Sequence, residues 1–290
     1  MSRSIALLAL LSLGFASASA QPGPFVEDEA GILTRILAPS QAVLWGDYDG
    51  DGDLDPFVTG GNPTQYPETL FENTGENNAL IHFLRAPFGQ QGAGAINGGG
   101  WADFDRDGRL DLLASSLAGA ALGLGTGGED PLLTYTQTAL NAYSSNVRDA
   151  IPSDYNRDGL PDVLLVRRNG SSNHLFRNGV NGLALVSGSA VSVGGNDGTT
   201  ACWGDANGDG WQDLYIATTT GTRNRFFWNG EGTFVEVDTL AITSGNTYSE
   251  GCNWVDYDGD GDLDLFVANA SPVGAVNALY RNEGGTFTPV

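Results

Sequence analysis

Aspartates that alternate with other residues are the chemistry-bearing feature of this chain. Five nine-residue runs follow D-x-[DN]-x-D-G-x-x-D: DYDGDGDLD at 47–55, DFDRDGRLD at 103–111, DYNRDGLPD at 154–162, DANGDGWQD at 205–213 and DYDGDGDLD at 256–264. Positions one, three, five and nine offer side-chain oxygens. They are Asp47, Asp49, Asp51 and Asp55 in the first run, and Asp103, Asp105, Asp107 and Asp111 in the second. The third has Asp154, Asn156, Asp158 and Asp162, the fourth Asp205, Asn207, Asp209 and Asp213, the fifth Asp256, Asp258, Asp260 and Asp264. Glycine at position six (Gly52, Gly108, Gly159, Gly210, Gly261) permits the tight turn that folds these groups inward. Position seven is unconstrained in type, being Asp53, Arg109, Leu160, Trp211 and Asp262, as expected where the backbone carbonyl is the ligand. Oxygen-only donors on a flexible loop suit Ca²⁺ far better than zinc or copper. The expectation is about five calcium ions, one per run.

Two other readings fit the pattern less well. An EF-hand opens similarly but needs a bidentate Glu at position twelve between helices. That position is Val58, Ala114, Leu165, Ile216 and Val267, apolar and strand-like in every run. A solvated acidic turn without metal would bring carboxylates within ~5 Å of one another, at a repulsion of a few kcal/mol even at an effective dielectric near 20. Of the 35 acidic residues, 20 stand in these 45 positions, so the repulsion would be met five times over.

The elements that position the runs recur with them. The first aspartates are spaced by 56, 51, 51 and 51 residues, and a Trp stands two positions earlier in four copies (Trp45, Trp101, Trp203, Trp254), with Pro152 in the remaining one. Each run is followed by a short apolar stretch, such as Val163-Leu164-Leu165-Val166 or Leu214-Tyr215-Ile216, with the length and composition of a strand. A third element ends at Asn with Gly close behind, a hairpin signal, in Leu70–Asn73, Leu175–Asn178, Phe226–Asn229 and Leu279–Asn282. The second copy carries a degraded version around Leu122 to Gly125, and a fourth element opens at Phe234 and Phe287. Four short strands per unit at this period, without helical patterning, predict an all-β fold, a β-propeller of five four-stranded blades spanning residues 21–290. A linear calcium-binding β-solenoid would repeat at about nine residues instead.

Composition narrows the partners. The net charge of −22, with 13 arginines and no lysine, argues against nucleic acid or an anionic membrane surface. Arg3, the apolar run Ile5–Phe15 and Ala18-Ser19-Ala20 read as a signal peptide over residues 1–20, cleaved before Gln21, and the run is too short to span a bilayer. Export would place the protein at the cell surface, in the periplasm or outside the cell, where disulfides persist.

With the loop, the preceding W-G-D or W-x-D, the following L-D-L-F-V-A and the [LF]-[FYW]-[RWE]-N…G-T-F hairpin on the page, the chain resembles the FG-GAP/VCBS-type repeat, similar to the calcium-bearing blades of integrin α-subunit propellers. The resemblance covers residues 25 to 290 and implies that each calcium loop joins the first and second strands of a blade, all on one face. The chain departs from it in having five copies, where the integrin-type propeller has seven blades.

The leading functional expectation is a calcium-stiffened binding or adhesion scaffold for an extracellular carbohydrate or protein ligand. The alternatives are a polysaccharide-processing lyase or hydrolase, and a purely structural surface repeat. No nucleophile motif or H-E-x-x-H supports catalysis, and His82 and His174 read as packed or edge histidines. The periodic tryptophans read as wedges at the blade centres, while Trp211 and Trp228 break the period and are the candidates for stacking a ligand. Cys202 and Cys252 stand three and four residues before their aspartates, a parity that points both into one gap between blades; a disulfide and two buried thiols both remain open. Residues 25–31 are expected to complete the last blade and close the ring, with the C-terminal residues frayed or adding a short extra edge.

Overall fold

The computed structural model describes residues 40–60, 69–73, 79–83, 96–125, 133–136, 139–143, 145–195, 197–219, 222–244, 248–270 and 276–290. The chain divides into Met1–Leu37 and a compact unit, Ala38–Val290. The predicted signal segment 1–20 and the closing strand 25–31 lie outside the described residues.

Among its described residues, the compact unit forms five four-stranded antiparallel sheets, each a meander of consecutive strands. Sheet 1 is β1 (Ser40–Gly46), β2 (Asp55–Gly60), β3 (Thr69–Asn73) and β4 (Ala79–Phe83); sheet 2 is β5 (Ile96–Ala102), β6 (Asp111–Ser116), β7 (Gly119–Gly125) and β8 (Leu133–Thr136). Sheet 3 is β9 (Val147–Ser153), β10 (Asp162–Arg167), β11 (His174–Arg177) and β12 (Ala184–Leu185); sheet 4 is β13 (Gly198–Gly204), β14 (Asp213–Thr218), β15 (Arg225–Gly230) and β16 (Thr233–Val237). Sheet 5 is β17 (Ser249–Val255), β18 (Asp264–Asn269), β19 (Ala278–Glu283) and β20 (Thr286–Pro289). No helix among the described residues is long and apolar enough to cross a membrane.

The sheets stack because their second strands are apolar on both faces. On β10, Val163 and Leu165 pack against sheet 2, while Leu164 and Val166 pack against sheet 4. On β14, Leu214 and Ile216 turn to sheet 3, and Tyr215 and Ala217 to sheet 5. Successive strand side chains point to opposite faces, so a continuous apolar run is what a sheet sandwiched between two others requires. Each fully buried Val, Leu or Ile among them contributes roughly 1.5–3 kcal/mol. The first strands pack in succession, β1 with β5, β5 with β9, β9 with β13 and β13 with β17.

The tryptophans wedge between sheets rather than at the centre of one. Trp101 lies over Gly46, where an added Cβ would be 2.8 Å from the indole, and its Nε1 donates to the Leu44 carbonyl at 3.4 Å. Trp254 lies over Gly204 in the same way and donates to the Cys202 carbonyl at 3.2 Å. Trp45 departs from the expected burial, at 55% exposed, since no described sheet precedes sheet 1. On sheet 5, Val255, Tyr257 and Phe266 are exposed for the corresponding reason: no described sheet follows.

Two expectations are corrected here. The element read as degraded forms a full seven-residue strand, β7, because glycine and alanine suffice where neighbouring strands supply the bulk. The outer edge of β19, assigned to residues 25–31, is taken by β20, with Tyr280 opposite Pro289. The Val290 N–H donates to the Leu279 carbonyl at 2.9 Å, so the C-terminal residues are paired rather than frayed. Cys202 on β13 and Cys252 on β17 form a disulfide, with Cα atoms 6.0 Å apart.

Candidate metal centres

Each acidic run connects the first and second strands of its sheet, and all five are built by one hydrogen-bond scheme. The position-one carboxylate accepts the N–H of the glycine at six: Gly52 to Asp47 at 3.1 Å, Gly108 to Asp103 at 2.9 Å, Gly159 to Asp154 at 2.9 Å, Gly210 to Asp205 at 2.8 Å and Gly261 to Asp256 at 3.1 Å. The position-five carboxylate accepts the N–H at seven, at distances from 2.8 Å in the fourth run to 3.1 Å in the third. Position seven therefore orients backbone; the Arg109 side chain bonds Asp107 of its own run at 3.4 Å, and Asp262 accepts the Gly284 N–H. The glycines at six adopt φ between +81° and +100°. A Cβ on Gly52, Gly108 or Gly261 would touch nothing within 4 Å, so glycine is required there for its left-handed backbone, not for space.

Position nine does a second job. Asp55, Asp111, Asp162, Asp213 and Asp264 are buried, and each Oδ1 accepts a backbone N–H from the end of the third strand: Asn73 at 2.7 Å, Gly125 at 2.8 Å, Asn178 at 2.7 Å, Asn229 at 2.8 Å and Asn282 at 2.8 Å. Burial pushes Asp55 and Asp111 up to about 6, and Asp162 and Asp213 up to about 7, against the backbone bonds that favour the carboxylate. A cation beside these groups would favour their ionised form.

Three runs gather carboxylates tightly. Oxygens of Asp47, Asp49 and Asp55, of Asp103, Asp105 and Asp111, and of Asp256, Asp258 and Asp260 lie within 4.8 Å of one another in each group. The donor set is entirely oxygen, which fits a hard divalent cation. The third and fourth runs form no such three-carboxylate group among the described residues, for Asn156 and Asn207 stand at position three. Each of those amides instead donates to a carboxylate of its own run, Asn156 to Asp162 at 2.8 Å and Asn207 to Asp209 at 3.0 Å.

Sequence reasoning missed two functional positions. The asparagine read as a hairpin signal latches neighbouring sheets: Asn178 donates to the Phe104 carbonyl at 2.8 Å, Asn229 to Tyr155 at 2.9 Å and Asn282 to Ala206 at 2.6 Å. Its recurrence 16 or 18 residues after position nine was the available signal. Position four is left-handed in every run, including Arg106 at φ 64° and Arg157 at φ 56°. Both arginines reach the next run, Arg106 to the Asp158 carbonyl at 3.0 Å and Arg157 over the Trp211 ring at 5.2 Å.

The stacking candidates fare differently from expectation. Trp211 is half-buried beneath Arg157. Trp228 packs edge-on to Phe226 at 4.6 Å, and a Cβ on Gly285 would lie 3.3 Å from it, so it is a packing residue facing sheet 5. His174 lies beside Tyr143, ring centroids 4.5 Å apart, with its Nδ1 3.3 Å from Arg167. Burial and Arg167 push it down to about 4. His82 is on β4, opposite Leu70.

Residues 154–216 and 205–267 match the FG-GAP-like repeat model. No curated protein sequence matches the chain. Among solved structures, it is similar to that of an Agrocybe aegerita lectin described as recognising non-reducing terminal N-acetylglucosamine, at TM-score 0.55 and 18% identity over 87% of this chain and 66% of that one. The biofilm matrix protein Bap1 of V. cholerae follows at TM-score 0.47 and 15% identity, over 84% of this chain and 38% of that one. A Photorhabdus luminescens Tc holotoxin pore has TM-score 0.41 and 19% identity, over 88% of this chain and 12% of that one. The chain thus spans less than two thirds of each of these proteins.

Proposed function

We propose that this FG-GAP repeat protein is an exported, calcium-stiffened scaffold that binds an extracellular carbohydrate or protein, its five sheets being the blades of a β-propeller. The observation that carries the reading is the repetition of one oxygen-lined loop at the same end of every sheet, with buried position-nine carboxylates that favour a neighbouring cation. Asp47, Asp49, Asp51 and Asp55, with the Asp53 carbonyl, and their counterparts would hold Ca²⁺. The ion would supply positive charge and oxygen coordination that fix each loop against its third strand. The N-terminal apolar run supports export, and the likeness to a lectin supports carbohydrate as the ligand class.

The end faces support closure. Val43 and Trp45 on sheet 1, and Val255, Tyr257 and Phe266 on sheet 5, are the exposed halves of the junction that is buried four times inside the unit. A closed ring of Ala38–Val290 predicts a radius of gyration near 18 Å for a compact monomer; a clearly larger value in small-angle scattering defeats closure.

The functional test is thermal melting with calcium and with EDTA, followed by a glycan array. One site at 100-fold saturation adds about 2.7 kcal/mol, so removal from several loops should lower Tm by more than about 10 °C. An unchanged melt ends the calcium reading. Glycan turnover instead of retention would favour the enzyme.

A further inference from the structure

We propose that the third run, Asp154–Asp162, holds no metal ion and is neutralised by the protein's own Arg177. The inference rests on the reading that the other runs bind calcium, and it departs from the count of one ion per sheet.

Every carboxylate oxygen of the third run already has a donor. Asp154 accepts the Asp158 N–H at 3.0 Å and the Gly159 N–H at 2.9 Å. Asp162 accepts the Asn178 N–H at 2.7 Å on Oδ1, and the Asn156 amide at 2.8 Å on Oδ2. Asp158 Oδ1 takes the Leu160 N–H at 3.1 Å, and its Oδ2 takes both Nη2 and Nε of Arg177, at 2.9 and 3.3 Å. The Asp158 carbonyl accepts Arg106 from the second run at 3.0 Å. Two guanidinium groups thus converge on the residue that would face the ion.

The ligand at position three is also turned. Asn156 Oδ1 accepts the Asp158 N–H at 3.0 Å, which leaves its NH₂ facing Asp162. A cation there would meet a donor where it needs an oxygen. In the other four runs the corresponding oxygen of position nine accepts the N–H of position two, at Tyr48, Phe104, Ala206 and Tyr257.

The residue before the latch asparagine decides the difference. It is Glu72, Arg177, Trp228 and Arg281 in sheets 1, 3, 4 and 5, and Leu124 in sheet 2, where Gly125 takes the place of the asparagine. Glu72 adds negative charge beside Asp49, Leu124 and Trp228 carry none, and Arg281 pairs with Glu283 at 3.2 Å. Among the described contacts, a cation from this position binds a run carboxylate in the third run alone. The fourth run, although Asn207 bonds within it, has no guanidinium on its three aspartates among the described contacts. A planar guanidinium gives two directed hydrogen bonds to a carboxylate and is always charged, so it replaces part of what a hard ion would provide.

The experiment is a metal count on the full chain, equilibrated with calcium and freed of excess, by native mass spectrometry. The wild type should carry about four ions, Arg177→Lys the same, and Arg177→Gln one more. Five ions in the wild type, or an unchanged count in Arg177→Gln with native circular dichroism, overturns the proposal. A wild type with none refutes calcium in all runs; hydrogen exchange in EDTA then decides the role of Arg177. Protection of the Gly159 and Leu160 amides should fall at least tenfold in Arg177→Gln relative to wild type, and equal protection overturns it.

Discussion

Asn229→Ala should unlatch sheet 4 from sheet 3 without touching any carboxylate. The Asn229 side chain is 1% exposed and makes three hydrogen bonds: Nδ2 to the Tyr155 carbonyl at 2.9 Å and the Gln212 carbonyl at 3.0 Å, and Oδ1 from the Gly232 N–H at 2.9 Å. Alanine leaves all three backbone partners unmatched, at roughly 1–1.5 kcal/mol each where water cannot enter. Gly232 is only half-buried and recovers a solvent bond, so the expected loss is about 3 kcal/mol, or ~6–12 °C in Tm for a unit of this size. The backbone N–H of residue 229 still bonds Asp213, so the acidic run keeps its brace. Urea denaturation with saturating calcium measures the change, and Asn181→Ala at an exposed turn should stay within about 0.5 kcal/mol. A loss below about 1 kcal/mol for Asn229→Ala would show that the latch is incidental to stability.

Asp149, on β9, is held by Thr200 Oγ1 at 2.7 Å and the Ala150 N–H at 2.9 Å, and burial pushes it up to about 6. Its folded pKa exceeds the unfolded one, so its contribution is full below about pH 4 and lost as pH rises through 6; Asp149→Asn should flatten that fall by about 2 kcal/mol in denaturation at pH 4 and 8. Reduction, or Cys202→Ser with Cys252→Ser, opens a link across 50 residues and should cost about 2–4 kcal/mol, with no free thiol titrating in the untreated protein. Gly108→Ala, at φ +88° with nothing within 4 Å of the new methyl, should cost only about 1–2 kcal/mol of backbone strain in the same assay. Gly46→Ala, aimed 2.8 Å from the Trp101 ring, should cost more; equal losses would undo the distinction between conformational and steric glycine.

Repetition made much of the fold and the loops legible in the sequence. The period near 51 residues, the five acidic runs and the two-faced apolar stretches after them each report a local rule. A nine-residue loop folds on its own aspartates and glycine, and a strand buried on both faces must be apolar throughout. The same logic placed the disulfide as one of two outcomes, because side-chain parity is local whereas the distance between β13 and β17 is not. What the tertiary structure decided are contacts between repeats, which no single repeat encodes. Asn178 could be read as a turn residue until its amide was seen on Phe104, 74 residues away. Trp45 and Trp101 occupy equivalent positions, yet one is exposed and the other wedged, since burial depends on which sheet lies alongside. Arg177 lies 19 residues from Asp158 in the chain and beyond any loop motif. Its charge reaches that run only because β11 returns alongside β10, and pairing across a sheet is set by the assembled fold.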